Sequence, residues 1–326
     1  MIPVKAPNYS IGLPAALAAT ALWGFTFLGP AAIAPVNIYY LVVGRYAVFG
    51  LMSMAVLALN LGKARRMGAR SFLKAMHLGV VGYIGFYLLL SLSATIGGGV
   101  LASTLTGLIP AMVALASNVF EKALSWRRLL LPTLIVSGGL LLVDRGSAAD
   151  RAGGSANHIL IGIALGFAAC LAWAYFVIVN GIILKRAKVP VDNAVWTASI
   201  GLGAFCGSTL LIPLARSGSG PSPFADPGTF WPYLGWCAAL ALLGSWCATW
   251  FWSAATKRLP TTIMGPIIGM EAVFGVVFNL LWQHRLPGFY ELTGALLVVT
   301  GVFLCAYLFN RAAAAPPPVL RAAESP

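Results

Sequence analysis

The chain has 326 residues, 60% of them hydrophobic and 9% charged, with a formal net charge of +13. Soluble globular chains run at about 45–50% apolar and about 25% charged, so a single water-soluble core cannot absorb this composition, and lipid is the solvent that fits it. The positive residues sit in short gaps between apolar runs, which argues against a nucleic-acid-binding patch and for loops at one face of a membrane.

A helix needs roughly 20 apolar residues to cross the hydrocarbon layer. In chain order such runs cover residues 11–29, 36–59, 75–96, 99–120, 127–143, 159–183, 193–214, 231–255, 261–282 and 288–309. The expected fold is therefore an all-α integral membrane protein of ten transmembrane helices. The first run continues past Trp23-Gly24 to Leu28 and is read as a retained helix, not a cleaved leader. The Ala- and Pro-rich segment 311–326 reads as a disordered cytoplasmic tail.

With the N-terminus inside, the inner connections carry Lys5, the 63–74 cluster (Lys63, Arg65, Arg66, Arg70, Lys74), Lys122, Arg127, Arg128, Lys185, Arg186, Lys188, Lys257, Arg258, Arg311 and Arg321. The outer ones carry only Arg145, Arg151, Arg216 and Arg285. This imbalance supports ten spans with both termini cytoplasmic, in a bacterial inner membrane. The five cysteines, Cys170, Cys206, Cys237, Cys247 and Cys305, all fall inside apolar runs and show neither zinc-ligand spacing nor a disulfide framework.

The two halves of the chain repeat. Ala18, Ala19 and Trp23 align with Ala168, Ala169 and Trp173. At an offset of 162, Gly82 aligns with Gly244, Ser91 with Ser253, Gly107 with Gly269, Leu124 with Leu286 and Gly139 with Gly301. The expected organisation is a first five-helix repeat over 1–150 and a second over 151–310. Five is odd, so the second repeat is inverted relative to the first. Inverted repeats around a central cavity near the bilayer midplane mark secondary transporters.

Five plus five short helices resemble the EamA family of the drug/metabolite transporter superfamily. The residues that carry the likeness are Trp23-Gly24, Arg45-Tyr46, Pro110, Phe120-Glu121-Lys122 and Gly138-Gly139. In the second repeat Gln283 stands where Glu121 does, Ala272 where Pro110 does, and Arg45 has no counterpart. Within the superfamily the chain looks most like the YddG-type exporters of aromatic amino acids. That resemblance implies alternating-access export of aromatic amino acids, with flat aromatic cations as further substrates, and no cofactor.

The residues themselves nominate a site. Arg45 and Glu271 are the charges within spans, each about 14–15 Å from a membrane face at 1.5 Å per residue, and a charge at that depth must be paired, hydrated or functional. They are expected to pair directly or through water, to contact substrate, or, for Glu271, to handle a proton. Trp23 and Trp173 occupy matched central positions, where tryptophan either packs the halves together or walls a cavity for aromatic ligands. Tyr83 and Tyr87 share a helix face, and Trp246 lies at similar depth. Trp126, Trp231, Trp250, Trp252 and Trp282 read as interfacial belt residues. Gly107 and Pro110 in the fourth span, and Gly265, Pro266 and Gly269 in the ninth, interrupt corresponding helices. They are candidates for gating or for close packing. His77, His158 and His284 do not cluster and read as interfacial. Gly97-Gly98-Gly99 reads as a tight hairpin.

No Walker A, HExxH or GxSxG sequence is present, so neither ATP hydrolysis nor these enzyme chemistries are indicated. The expected partners are the bilayer and a small-molecule substrate, with proton coupling open, no metal, no nucleic acid, and a monomer sufficient. The alternatives are a superfamily transporter of a different metabolite and, remotely, a membrane enzyme acting on a lipid-linked substrate.

Overall fold

The computed structural model of the protein describes residues 8–97, 105–121, 125–147, 156–187, 190–218 and 220–314. The expected hairpin at Gly98-Gly99, the basic residues Lys5, Lys122, Arg151, Lys188 and Arg321, the tail from 315, and the side chains of Phe120 and Glu121 lie outside this description. The regular elements within it are helical. They are α1 (Tyr9–Ala32), α2 (Ile38–Leu59), α3 (Leu61–Met67), α4 (Ala69–Ala94), α5 (Ile109–Glu121), α6 (Trp126–Ser147), α7 (Asn157–Arg186), α8 (Asn193–Ser217), α9 (Pro227–Thr256), α10 (Thr261–Gln283) and α11 (Phe289–Leu308).

Eight of these, α1, α2, α4 and α7 to α11, are long and apolar enough to cross a membrane. The protein is thus an all-helical, multi-pass membrane protein, and eight of the ten expected spans meet this test among the described residues. Of the other two, α5 has 13 residues, because the chain turns at Gly107-Leu108 before it. Helix α6 has 22 residues but opens on Arg127-Arg128 and closes near Asp144-Arg145.

Lipid tails are as apolar as leucine, so helices in a membrane associate by close packing and not by a hydrophobic drive. Small residues supply it here. Gly12, Ala16, Thr20 and Gly24 recur every four residues along α1 and are all buried. A Cβ at Gly12 would lie 2.7 Å from Leu259, and one at Gly24 would lie 2.7 Å from the Gly275 backbone nitrogen. Helix α1 therefore touches α10 backbone to backbone.

Helices of the first half pack on helices of the second: α2 on α8, α5 on α10, and α6 on α11. Three further sets of contacts come in exchange pairs, α1–α9 with α4–α7, α1–α10 with α5–α7, and α4–α8 with α2–α9. The residue contacts are reciprocal as well. Gly139 abuts the carbonyl of Gly294 and Val298, while Gly301 abuts the carbonyl of Pro132 and Val136, so α6 and α11 run antiparallel. Gly82 meets Phe176 and Gly244 meets Thr26, the same contact with the halves exchanged. Helices α2 and α8 are also antiparallel, since Asn37 ahead of α2 meets Ala215 late in α8 while Lys63 beyond α2 meets Asp192 at the start of α8.

Two π-helical stretches, Val80–Gly85 in α4 and Leu240–Cys247 in α9, overlap at the same 162-residue offset. A π-bulge inserts a residue and leaves carbonyls poorly paired, and such bulges are frequent at functional sites. Helix α10 divides at Gly269 into Thr261–Ile268 and Met270–Gln283, matching the turn at Gly107. Gly265 crosses α5 at the Pro110 carbonyl and the Ala114 nitrogen, each 2.7 Å from where its Cβ would be.

The bundle has two unlike ends. At one end the chain near Asn8, the 59–68 connection, residues 190–193 and residues 257–260 come together. Asn8 N–H donates to the Arg258 carbonyl, and Lys63 pairs with Asp192 at 3.0 Å. At the other end Asn37 donates to the Ala215 carbonyl, and Tyr40 packs on Phe224. Arg285 grips the buried Glu291 with two hydrogen bonds of 2.7 and 2.8 Å. The first end is rich in lysine and arginine and is called the basic end below.

Candidate functional site

The centre of the bundle is aromatic. Trp23 on α1 lies edge-on to Trp173 on α7 with ring centroids 5.4 Å apart, and 5.1 Å from Trp252 on α9. Trp173 continues the cluster to Phe86 and Phe176, both at 5.2 Å, and to Tyr83 at 6.1 Å. Tyr83 in turn meets Tyr46 at 6.0 Å. These offset and edge-on arrangements are the ones that ring quadrupoles favour. All three tryptophans and both tyrosines are buried. The Tyr83 hydroxyl is hydrogen-bonded to Thr249, which answers the need of a phenol in an apolar interior.

Arg45 reaches this centre from α2. Its Nε donates to Ser245 Oγ at 2.8 Å and its Nη2 donates to the Gly244 carbonyl at 3.0 Å. Both partners lie in the α9 π-stretch, so the bulge supplies the acceptors that hold the guanidinium in the membrane. Its carbon sits 5.4 Å from the Tyr46 ring centroid. The Nη1 group carries no hydrogen bond among the described residues, and the guanidinium lies in the neighbourhood of Tyr83, Tyr87 and Glu271.

Glu271 stands in the first turn of the Met270–Gln283 half-helix, just past the Gly269 break. The positive end of the helix dipole favours a carboxylate there. Gly24 is what lets α1 lie against this turn, since its Cβ would be 2.8 Å from the Glu271 carbonyl oxygen. The direct pairing of Arg45 with Glu271 is not observed. Among the described residues Glu271 makes no hydrogen bond or ion pair, and Arg45 is held by Ser245 and Gly244 instead. Both side chains are partly accessible, unlike the aromatic cluster beside them.

The sequence-nominated residues fall into groups. Trp23, Trp173 and Tyr83 share the aromatic centre. Arg45, Tyr87 and Glu271 lie within one electrostatic neighbourhood, with Tyr87 hydrogen-bonded to Ser91. Trp246 stands apart, 6.2 Å from Phe49. Gly107 and Gly269 lie at the helix breaks, with Pro110 and Pro266 flanking them.

Trp252 corrects the sequence reading. It is fully buried against Trp23 and is no belt residue, whereas Trp250 beside it is 37% exposed. The α9–α10 connection dips into the bundle: Leu259 is buried and packs on Gly12, so Trp252 lies deeper than its distance from residue 255 implies. Ser245 and Thr249 were also missed, because a π-bulge leaves no mark in hydrophobic periodicity.

Two open grooves lie away from the aromatic centre. A groove of about 490 Å³ is lined by Leu28, Phe278, Leu281, Trp282 and His284, and one of about 330 Å³ by Phe25, Pro232, Gly235, Trp236 and Ala239. Both are on the outside of the bundle toward the end opposite the basic one. The aromatic centre itself is closed.

Fold and site define a multi-pass helical membrane protein with a closed aromatic centre flanked by one basic and one acidic side chain. Residues 160–307 match the EamA-like transporter family, a family of membrane transporters and not of enzymes. That segment is the second half of the chain; the Trp23-Gly24, Arg45-Tyr46, Pro110 and Gly138-Gly139 motifs precede it. The chain is 25% identical over 317 residues to the inner membrane protein YtfF of Escherichia coli (strain K12), covering 90% of this chain and 94% of that one. A protein of known crystal structure is similar in fold with a TM-score of 0.74. It is 16% identical, and the similarity covers 93% of this chain and 99% of the other.

Proposed function

We propose that this chain is a secondary transporter of small metabolites, built from two inverted five-helix repeats and working by alternating access. The substrates it fits best are aromatic amino acids, exported across a bacterial inner membrane with both chain termini cytoplasmic. The reciprocal Gly139/Gly301 and Gly82/Gly244 contacts, and the antiparallel α2–α8 and α6–α11 pairs, support two units related by a two-fold axis in the membrane plane. Ten spans follow from counting α5 and α6 with the eight long ones.

The observation that carries the substrate reading is the separation of Arg45 from Glu271 beside stacked rings. A free Arg45 Nη1 suits a carboxylate and Glu271, when ionised, suits an ammonium, while Trp23, Trp173 and Tyr83 offer faces to an aromatic ring. These rings now pack on one another, so substrate entry requires Trp23 and Trp173 to part. The basic end is tied shut by Lys63–Asp192, by Lys257 bonded to Asn193 and the Val191 carbonyl, and by Lys185–Thr261. Opening that end is the complementary motion.

Purified protein in liposomes, loaded with labelled phenylalanine, tyrosine or tryptophan, tests this reading with and without an imposed pH gradient. Saturable flux of at least one of them is expected. Flux of a different metabolite and none of these three removes the aromatic assignment, and flux unaltered by the gradient removes proton coupling.

A further inference from the structure

The connection between α2 and α4 forms a surface of its own. Helix α3, Leu61–Met67, contains no buried residue. It is set off from α2 by Asn60, whose side chain turns back to the Val56 carbonyl at 2.9 Å, and from α4 by Gly68 at φ 81°. Positive φ is the region that suits glycine, so the chain leaves the axis of both spans there by design of the backbone. On and beside α3, Arg65, Arg66, Arg70 and Lys74 are all exposed, and among the described residues none of them is paired with a carboxylate. Residues 59–78 contain no Asp or Glu at all. Exposed leucines lie among these charges, with Leu59 at 85%, Leu61 at 55% and Leu73 at 62%. Exposed leucines set among cations suit the boundary between acyl chains and headgroups, where the cations stand at the level of the headgroup phosphates. Lys63 differs from its neighbours, being engaged with Asp192.

We propose that the α3 connection is a docking surface for anionic phospholipid headgroups, with Leu59, Leu61 and Leu73 in the acyl boundary and Arg65, Arg66, Arg70 and Lys74 on the phosphates. The absence of any acid in the segment supplies the charge complementarity that a zwitterionic headgroup does not repay. Because Lys63 sits on the same helix and fastens Asp192, occupation of the surface bears directly on the tie that closes the basic end. The proposal concerns lipid and stands whether or not aromatic amino acids are the cargo.

Native mass spectrometry of the full chain, titrated in detergent with phosphatidylglycerol, phosphatidylcholine, or inorganic phosphate, tests it. Retention of phosphatidylglycerol in preference to phosphatidylcholine is expected, with no competition from phosphate alone. The Arg65→Gln/Arg66→Gln pair should weaken that retention by roughly fivefold per charge removed, while Arg216→Gln at the opposite end leaves it unchanged. Equal retention of the two lipids, displacement by phosphate, or an equal loss in Arg216→Gln overturns the proposal. Both variants alter exposed side chains, so a folded protein is available for either outcome.

Discussion

Trp250 and Trp252 are two residues apart and meet opposite environments, which makes them a sensitive pair. Trp252 is fully buried against Trp23, so Trp252→Ala removes a large side chain from a packed interior and should cost about 3–5 kcal/mol. Trp250→Ala, facing outward, should stay within about 0.5 kcal/mol. Equilibrium unfolding in mixed micelles measures both, and equal costs would place Trp252 outside the core. For Arg45, lysine is no conservative replacement, since one ammonium does not span the Ser245 and Gly244 acceptors as the planar fork does. Arg45→Lys should therefore lower transport in liposomes while insertion stays normal. Glu271→Gln keeps the shape of the side chain and removes its charge. Transport should fall or change its pH profile, and a rate identical to wild type across pH would take Glu271 out of the mechanism.

At the scale of elements, the α6–α11 crossing depends on Gly139 and Gly301. A side chain at Gly301 would stand 2.9 Å from the Pro132 carbonyl oxygen, which is backbone and cannot rotate away. Gly301→Leu should force the pair apart and lower the melting temperature, whereas the same change at Gly138, which has open space around it, should be tolerated. The basic end is a tie between elements with a predictable pH response. Burial pushes the Lys257 ammonium down to about 8, with Arg258 adding to the effect and Asp192 opposing it. Burial alone would raise the Asp192 carboxyl, but Lys63 and the amides of Val195 and Ala194 outweigh it and hold it below its ordinary range.

The signs agree. A lysine whose pKa is lowered in the closed state takes up its proton more readily when that end separates. Closure is therefore strengthened as pH rises from about 8 towards the solvated lysine value near 10.4. The Asp192 contribution is complete above the ordinary aspartate range and is lost as pH falls through its lowered value. Spin labels at Gly62 and Pro190 should show a growing short-distance population between pH 7.5 and 10. A shrinking one would reverse the assignment.

At the scale of the molecule, composition and run length were enough to read a multi-pass helical membrane protein, and eight spans are plain. Glycine is hard to replace where helices cross: Gly139 and Gly301 lie against backbone atoms of the facing helix, and Gly82 and Gly244 lie against the side chains of Phe176 and Thr26. That Arg45 and Glu271 fall within long apolar helices was legible in the sequence, but the partners of Arg45 were not. A one-residue π insertion rotates the face of α9, and only the folded chain shows that Ser245 and Gly244 turn toward Arg45. Trp252 escaped for a related reason, since the dip of residues 257–260 into the bundle has no signature in hydropathy.

The central claim is that the two ends of the bundle open in alternation around the aromatic centre. Hydrogen exchange of wild type and Asp192→Asn, which removes the charge that holds Lys63, followed peptide by peptide in lipid nanodiscs, measures it directly. The variant should exchange faster over 191–199 and 253–262 and, in the same sample, slower over 26–37 and 215–236. Faster exchange at both ends, or no change at the second, would contradict it.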